Sequence, residues 1–122
     1  MTEAMALVIS AAVEAPVAFL IVVLTKWPCR GAWHVGLASA VATAVTHPQL
    51  WSAALWAYQR YSYWQTITVL EAAVVVVEGL LIAWMAALKL SRAMLVSLIA
   101  NSASLLIGLW LASLSDSGGG GG

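Results

Sequence analysis

Residues 65–84 form an almost uninterrupted apolar run, and two carboxylates, Glu71 and Glu78, stand inside it. A helix of roughly 20 residues rises about 30 Å, the thickness of a bilayer's hydrocarbon core. An acid in that environment costs roughly 2.5–3.5 kcal/mol even on the mildest scales, so it needs a partner or a task. Glu71 and Glu78 are about two helical turns apart and share one face.

The rest of the chain has the same character. Of its 122 residues, 63% are hydrophobic and 8% are charged. A soluble domain this small keeps too much surface in water to hide such a composition. The pattern predicts an all-α integral membrane protein, a four-helix bundle with spans at about 5–24, 32–56, 63–88 and 93–113. These make one transmembrane domain over 1–114, and the Gly-rich end, 115–122, is expected to be a flexible tail. Pro16 predicts a kink beside Glu14, since proline removes a backbone bond. The clean apolar part of the second segment stops at Thr46-His47-Pro48. That helix is expected either to kink at Pro48 and continue or to break there.

Lys26 and Arg30 lie in the first connection, Lys89 and Arg92 in the third, and Arg60 alone in the second. The positive-inside rule puts the first and third connections in the cytoplasm and both termini on the outer, periplasmic side. The expected location is the prokaryotic cytoplasmic membrane. Trp27, Trp33 and Trp84 would mark the inner interface. Trp51, Trp56, Trp64 and Trp110, with Tyr58, Tyr61 and Tyr63, would mark the outer one. The N-terminus lacks the basic region of a cleavable signal. A single cysteine, Cys29, excludes an internal disulfide. Zero net charge and no basic stripe give nucleic acid nothing to bind.

Each helix carries a polar stripe at three-or-four spacing. The stripes are Ser10 and Glu14; Ser39, Thr43, Thr46 and His47; Thr68, Glu71 and Glu78; and Ser97, Asn101, Ser104 and Gly108. Counted from the outer end, Glu14 and Glu71 reach similar depth, so they are the leading site candidates, with His47, Glu78 and Asn101 beside them. Ser10, Thr43, Thr46, Thr68, Ser97 and Ser104 are expected to support them. Glu78, deeper, is expected to face the inner half and to matter less than Glu71. Burial and mutual repulsion disfavour a second negative charge in such a cluster, and one positive charge relieves it. A proton, a metal ion or an organic cation would serve. A metal would need Glu14, His47 and Glu71 to converge. His47 alone could also ligate haem or chlorophyll. The bland alternative is that the acids and Asn101 bond across helices as glue.

No Walker, HExxH, G-x-S-x-G or dinucleotide motif is present, and no spacing names a reaction. In layout the chain is similar to the small multidrug-resistance transporters, on its length, four expected spans and Glu14 in the middle of the first. That similarity implies, by analogy, an embedded acid that exchanges protons for cations. The expected function is therefore binding, and translocation, of protons or a cation. The alternative is an accessory subunit of a larger respiratory, photosynthetic or oxygenase-like membrane complex, its polar residues meeting a partner chain or cofactor. Lipid is the expected surroundings, and a homo-oligomer or other membrane subunits the expected company, since one copy has little room for a path.

Overall fold

The structure, a computed structural model, describes the backbone of residues 2–119 and the side chains of residues 2–114. It contains four helices in chain order: α1 (Glu3–Thr25), α2 (Ala32–Tyr58), α3 (Tyr63–Ala86) and α4 (Leu90–Gly119). No strand occurs among the described residues. Local chemistry sets the ends. The Thr2 hydroxyl accepts a bond from the Met5 amide at 3.2 Å and caps α1. Ser62 and Gln65 form a reciprocal capping box at the start of α3. Lys26 and Ala87 stop α1 and α3 in the left-handed conformation, with φ of 57° and 54°. Ala87 thus ends α3 two residues short of the expected 88.

α1 runs through Pro16, and α2 runs through Pro48 to Tyr58. Of the two expectations for the second segment, the break at His47-Pro48 does not form and the continuous helix does. Both prolines are exposed, so each ring points away from the bundle. The backbone of α4 continues to Gly119, so much of the tail expected over 115–122 prolongs that helix; residues 120–122 lie outside the described residues.

Each helix packs on two neighbours, in the ring α1–α2–α3–α4–α1, which leaves α1 and α3 on one diagonal. Short connections make consecutive helices antiparallel. One end of the bundle therefore gathers the first residues of α1 and α3 and the last of α2 and α4. The other end gathers connections 26–31 and 87–89. The Arg30 amide donates to the Ala86 carbonyl at 2.8 Å and ties those two connections together.

Three helices are long and apolar enough to cross a membrane: Glu3–Thr25, Tyr63–Ala86 and Leu90–Leu114. α2 is not among them. It has 27 residues, about 40 Å at the helical rise, so it falls short in hydropathy and not in length. Burial is inverted relative to a soluble bundle. Glu14, Ser39, Thr43, Glu78, Ser97 and Asn101 are buried, whereas Leu20, Leu24, Val69, Val76, Leu98 and Leu106 are exposed. Water would not support that arrangement and hydrocarbon does, so the molecule fits a membrane and contact with lipid.

Candidate functional site

The buried stripes converge half-way along the bundle. On α1, Glu14, Ala18 and Val22 repeat every four residues along one line. On α2 the buried line is Val35, Ser39, Thr43 and His47; on α3 it is Val74, Glu78, Ile82 and Ala86. On α4 it is Ala93, Ser97 and Asn101. Apart from Val74, the apolar members of each line lie toward connections 26–31 and 87–89. The polar members lie toward the middle. The apolar halves make one packed layer of Ala18, Val22, Val35, Ala38, Ile82 and Val96 with their neighbours.

Above that layer sits Glu78. Asn101 Nδ2 donates to its Oε2 at 2.6 Å, and Thr46 Oγ1 donates to its Oε1 at 3.1 Å. Asn101 Nδ2 also lies 2.8 Å from the Ser97 carbonyl, so the amide is held by its own helix while it reaches α3. Ser97 Oγ donates to the Val75 carbonyl at 2.9 Å and adds a second α4–α3 link. The Ser104 hydroxyl donates to the Asn101 carbonyl at 3.0 Å. Glu78 thus draws on α2 and α4 at once.

Across the diagonal, the buried Glu14 carboxyl lines the same cavity as Glu78 and Thr43. The Thr43 hydroxyl is already committed to the Ser39 carbonyl at 2.9 Å. Glu14 Oε1 is buried with no partner, on a residue only 2% exposed. His47 Nε2 is likewise buried and unpartnered, on a residue 6% exposed. No lysine or arginine is near: Lys26, Arg30, Arg60, Lys89 and Arg92 all stand in connections or within the first turn of α4. Burial and mutual repulsion disfavour charge on both carboxyls at once, and a proton on either relieves the repulsion.

Both acids line a cavity of about 340 Å³ to which all four helices contribute. Its lining runs from Glu78 and Asn101 up to Ala6, Tyr63 and Ala112, so it opens toward the end that carries both termini. The packed apolar layer closes it below. Glu71 lies higher on the same wall and is half-buried. His47, Leu50, Trp51 and Glu71 also line a smaller groove of about 180 Å³ between α2 and α3, so those four side chains form the partition between the two spaces.

The sequence candidates divide accordingly. Glu14, Glu78, His47, Asn101, Ser10, Thr43, Thr46 and Ser104 line the cavity, Glu71 stands nearer its mouth, and Ser97 supports Asn101 from behind. Thr68 is not part of it. That side chain is exposed and bonds the Trp64 carbonyl at 2.7 Å, because it lies off the buried line of α3. Glu14 and Glu78 are both buried at the cavity floor, whereas Glu71, which depth alone had placed with Glu14, lines the same cavity half-buried nearer its mouth. Trp51, expected in the outer aromatic belt, instead lines the cavity with its ring centroid 6.0 Å from that of His47. The four-residue step from His47 turns it to the same inner face. Tyr63, also expected in that belt, reaches the cavity mouth. Among the described residues no group of three or more His, Cys, Asp and Glu side chains is placed to hold a metal ion, so Glu14, His47 and Glu71 share a cavity without converging as ligands. No protein-family model matches the chain, and neither a curated protein nor a solved structure is significantly similar to it.

Proposed function

We propose that this chain is a small polytopic membrane protein that binds a proton or a cation at the Glu14–Glu78 pair and passes it across the bilayer. The observation that carries the proposal is the pair itself. Two buried carboxyls from diagonal helices line the floor of one cavity, one oxygen of Glu14 lacks any partner, and no lysine or arginine lies beside them. An arrangement built only as interhelical glue would leave no buried acceptor unmet, since an unsatisfied group costs about 1–3 kcal/mol.

Four crossings belong to the same proposal. α2 buries Ser39, Thr43 and His47 while exposing Leu37, Val41, Val45 and Leu55. Its hydropathy is lowered by the buried Ser39, Thr43 and His47 and also by the exposed His34, Pro48, Gln49 and Ser52, while Leu37, Val41, Val45 and Leu55 offer lipid an apolar surface. With four crossings and basic first and third connections, the cavity opens to the periplasmic side. Exchange with the other side then requires the apolar layer of Ala18, Val22, Ile82 and Val96 to part.

The test is proton uptake and flux in liposomes holding the purified protein. Glu14→Gln and Glu78→Gln are each expected to abolish carboxyl-dependent uptake with folding intact, and Glu71→Gln to reduce it less. Unchanged uptake in both Glu14→Gln and Glu78→Gln would end the proposal.

A further inference from the structure

The cavity is far larger than a bare ion needs. A water molecule's share of liquid is about 30 Å³, whereas this space measures about 340 Å³. Sites for small organic molecules begin near 300 Å³ and combine apolar walls with a few convergent polar groups. Here the polar groups sit at the floor and the walls are Ile9, Leu50, Trp51, Tyr63, Leu105 and Leu109. The space therefore has a charged end and an apolar end.

Two buried atoms on the lining define what the charged end accepts. Glu14 Oε1 and His47 Nε2 both lack partners. A carboxylate oxygen is an acceptor only, so its missing partner is a donor. A quaternary ammonium supplies charge without an N–H. A metal ion wants several converging ligands, and among the described residues they do not converge. A primary ammonium supplies one positive charge and three N–H donors. The ring of Trp51, beside His47, adds an aromatic face at which a cation or an apolar group is favourably placed.

From this we infer that the cavity takes a protonated primary amine with an apolar body, its ammonium at the Glu14 and Glu78 end and its body against Trp51 and Tyr63. This rests on the cation-site reading above and names the class of its ligand. Glu78 is held in place by Asn101 and Thr46. Glu14 is the carboxyl left free to take the N–H.

The experiment is calorimetric titration of the full chain in nanodiscs with 2-phenylethylammonium, its N,N,N-trimethyl analogue and neutral 2-phenylethanol. Proton uptake is measured on the same preparation. The primary ammonium is expected to bind saturably, roughly tenfold or more tighter than the trimethyl compound, because charge-assisted hydrogen bonds are lost in the latter. Glu14→Gln is expected to remove most of that preference, and Trp51→Leu to weaken all three compounds a few-fold. The comparison of compounds on the unaltered protein does not depend on how any variant folds. Equal or tighter binding of the trimethyl compound overturns the inference. So does absence of saturable binding by either cation while carboxyl-dependent proton uptake persists, in which case the proton site still stands. Loss of both binding and uptake removes the inference and the reading beneath it together.

Discussion

Asn101 is the residue on which the site's geometry turns. Its amide reaches Glu78 at 2.6 Å and its own helix at 2.8 Å, so one side chain fixes both the carboxyl and the α3–α4 register. Hydrogen bonds between helices in membranes average about 0.6 kcal/mol, with model systems giving about 1–2 kcal/mol. This one meets a carboxyl and belongs at the upper end. Asn101→Leu, which keeps the volume and removes the donor, is expected to destabilise the protein by about 1–2 kcal/mol. Unfolding in mixed micelles measures it, and a variant as stable as the parent would show that the bond adds nothing net. Thr46→Val makes the milder comparison, because its hydroxyl divides its bond between Glu78 at 3.1 Å and the Ala42 carbonyl at 2.9 Å.

Helix pairs approach each other through glycine at two places. A Cβ on Gly36 would meet the Ala15 carbonyl oxygen at 3.3 Å, which sets α2 against α1 beside the Glu14 line. A Cβ on Gly79 would lie 2.6 Å from Met94 Sδ and 3.2 Å from Met94 Cα. Rotating the Met94 side chain relieves the first contact and not the second, which is backbone. Gly79→Ala is therefore expected to push α3 from α4 beside the Glu78–Asn101 bond and to destabilise by about 1–3 kcal/mol, the usual range for overpacking. Gly108 makes the control: a Cβ there meets nothing within 4 Å. Gly108→Ala is expected to be neutral or mildly stabilising, since alanine is the better helix former. Thermal melts of the two variants side by side check the pair, and equal stability would contradict the close α3–α4 approach.

At the scale of the whole molecule the open question is how often the chain crosses the membrane, and α2 decides it. If α2 crosses, connections 26–31 and 59–62 lie on opposite sides; if it does not, they share a side. Cys29 is the only cysteine and stands in the first connection. Gln59, at the end of α2, is exposed and suits a second probe. An impermeant maleimide applied to intact cells is expected to label Gln59→Cys in a Cys29→Ser background and to leave the native Cys29 untouched until the membrane is permeabilised. Labelling of both, or of neither, before permeabilisation contradicts four crossings. The aromatic side chains divide in the same sense. Trp33 and Trp84 are exposed at the end bearing the basic connections, and Trp56, Trp64 and Trp110 at the other. Arg60 stacks over Trp56 at 4.3 Å and Arg92 over Trp27 at 5.5 Å, so a cation meets an aromatic ring at each end.

The amino-acid sequence by itself determined the helices and most of the polar residues they bury. Hydropathy, capping and the 3.6-residue period are local properties, legible in Ser62 and Gln65 at the start of α3 or in the spacing of Ser97 and Asn101. The sequence did not determine which acids lie buried at the cavity floor. Glu14 is eleven residues into α1, and Glu71 and Glu78 are eight and fifteen residues into α3. At about 1.5 Å per residue, Glu14 falls between the two in depth, within about 6 Å of either. That difference is smaller than the axial shift and rotation that packing can impose. The close contacts at Gly36 and Gly79 set that shift and rotation, and they belong to pairs of helices. For the same reason only the tertiary structure turned Trp51 into the cavity and left Thr68 outside it. It also carried α2 past Pro48, whose ring faces outward while the neighbouring His47 is buried.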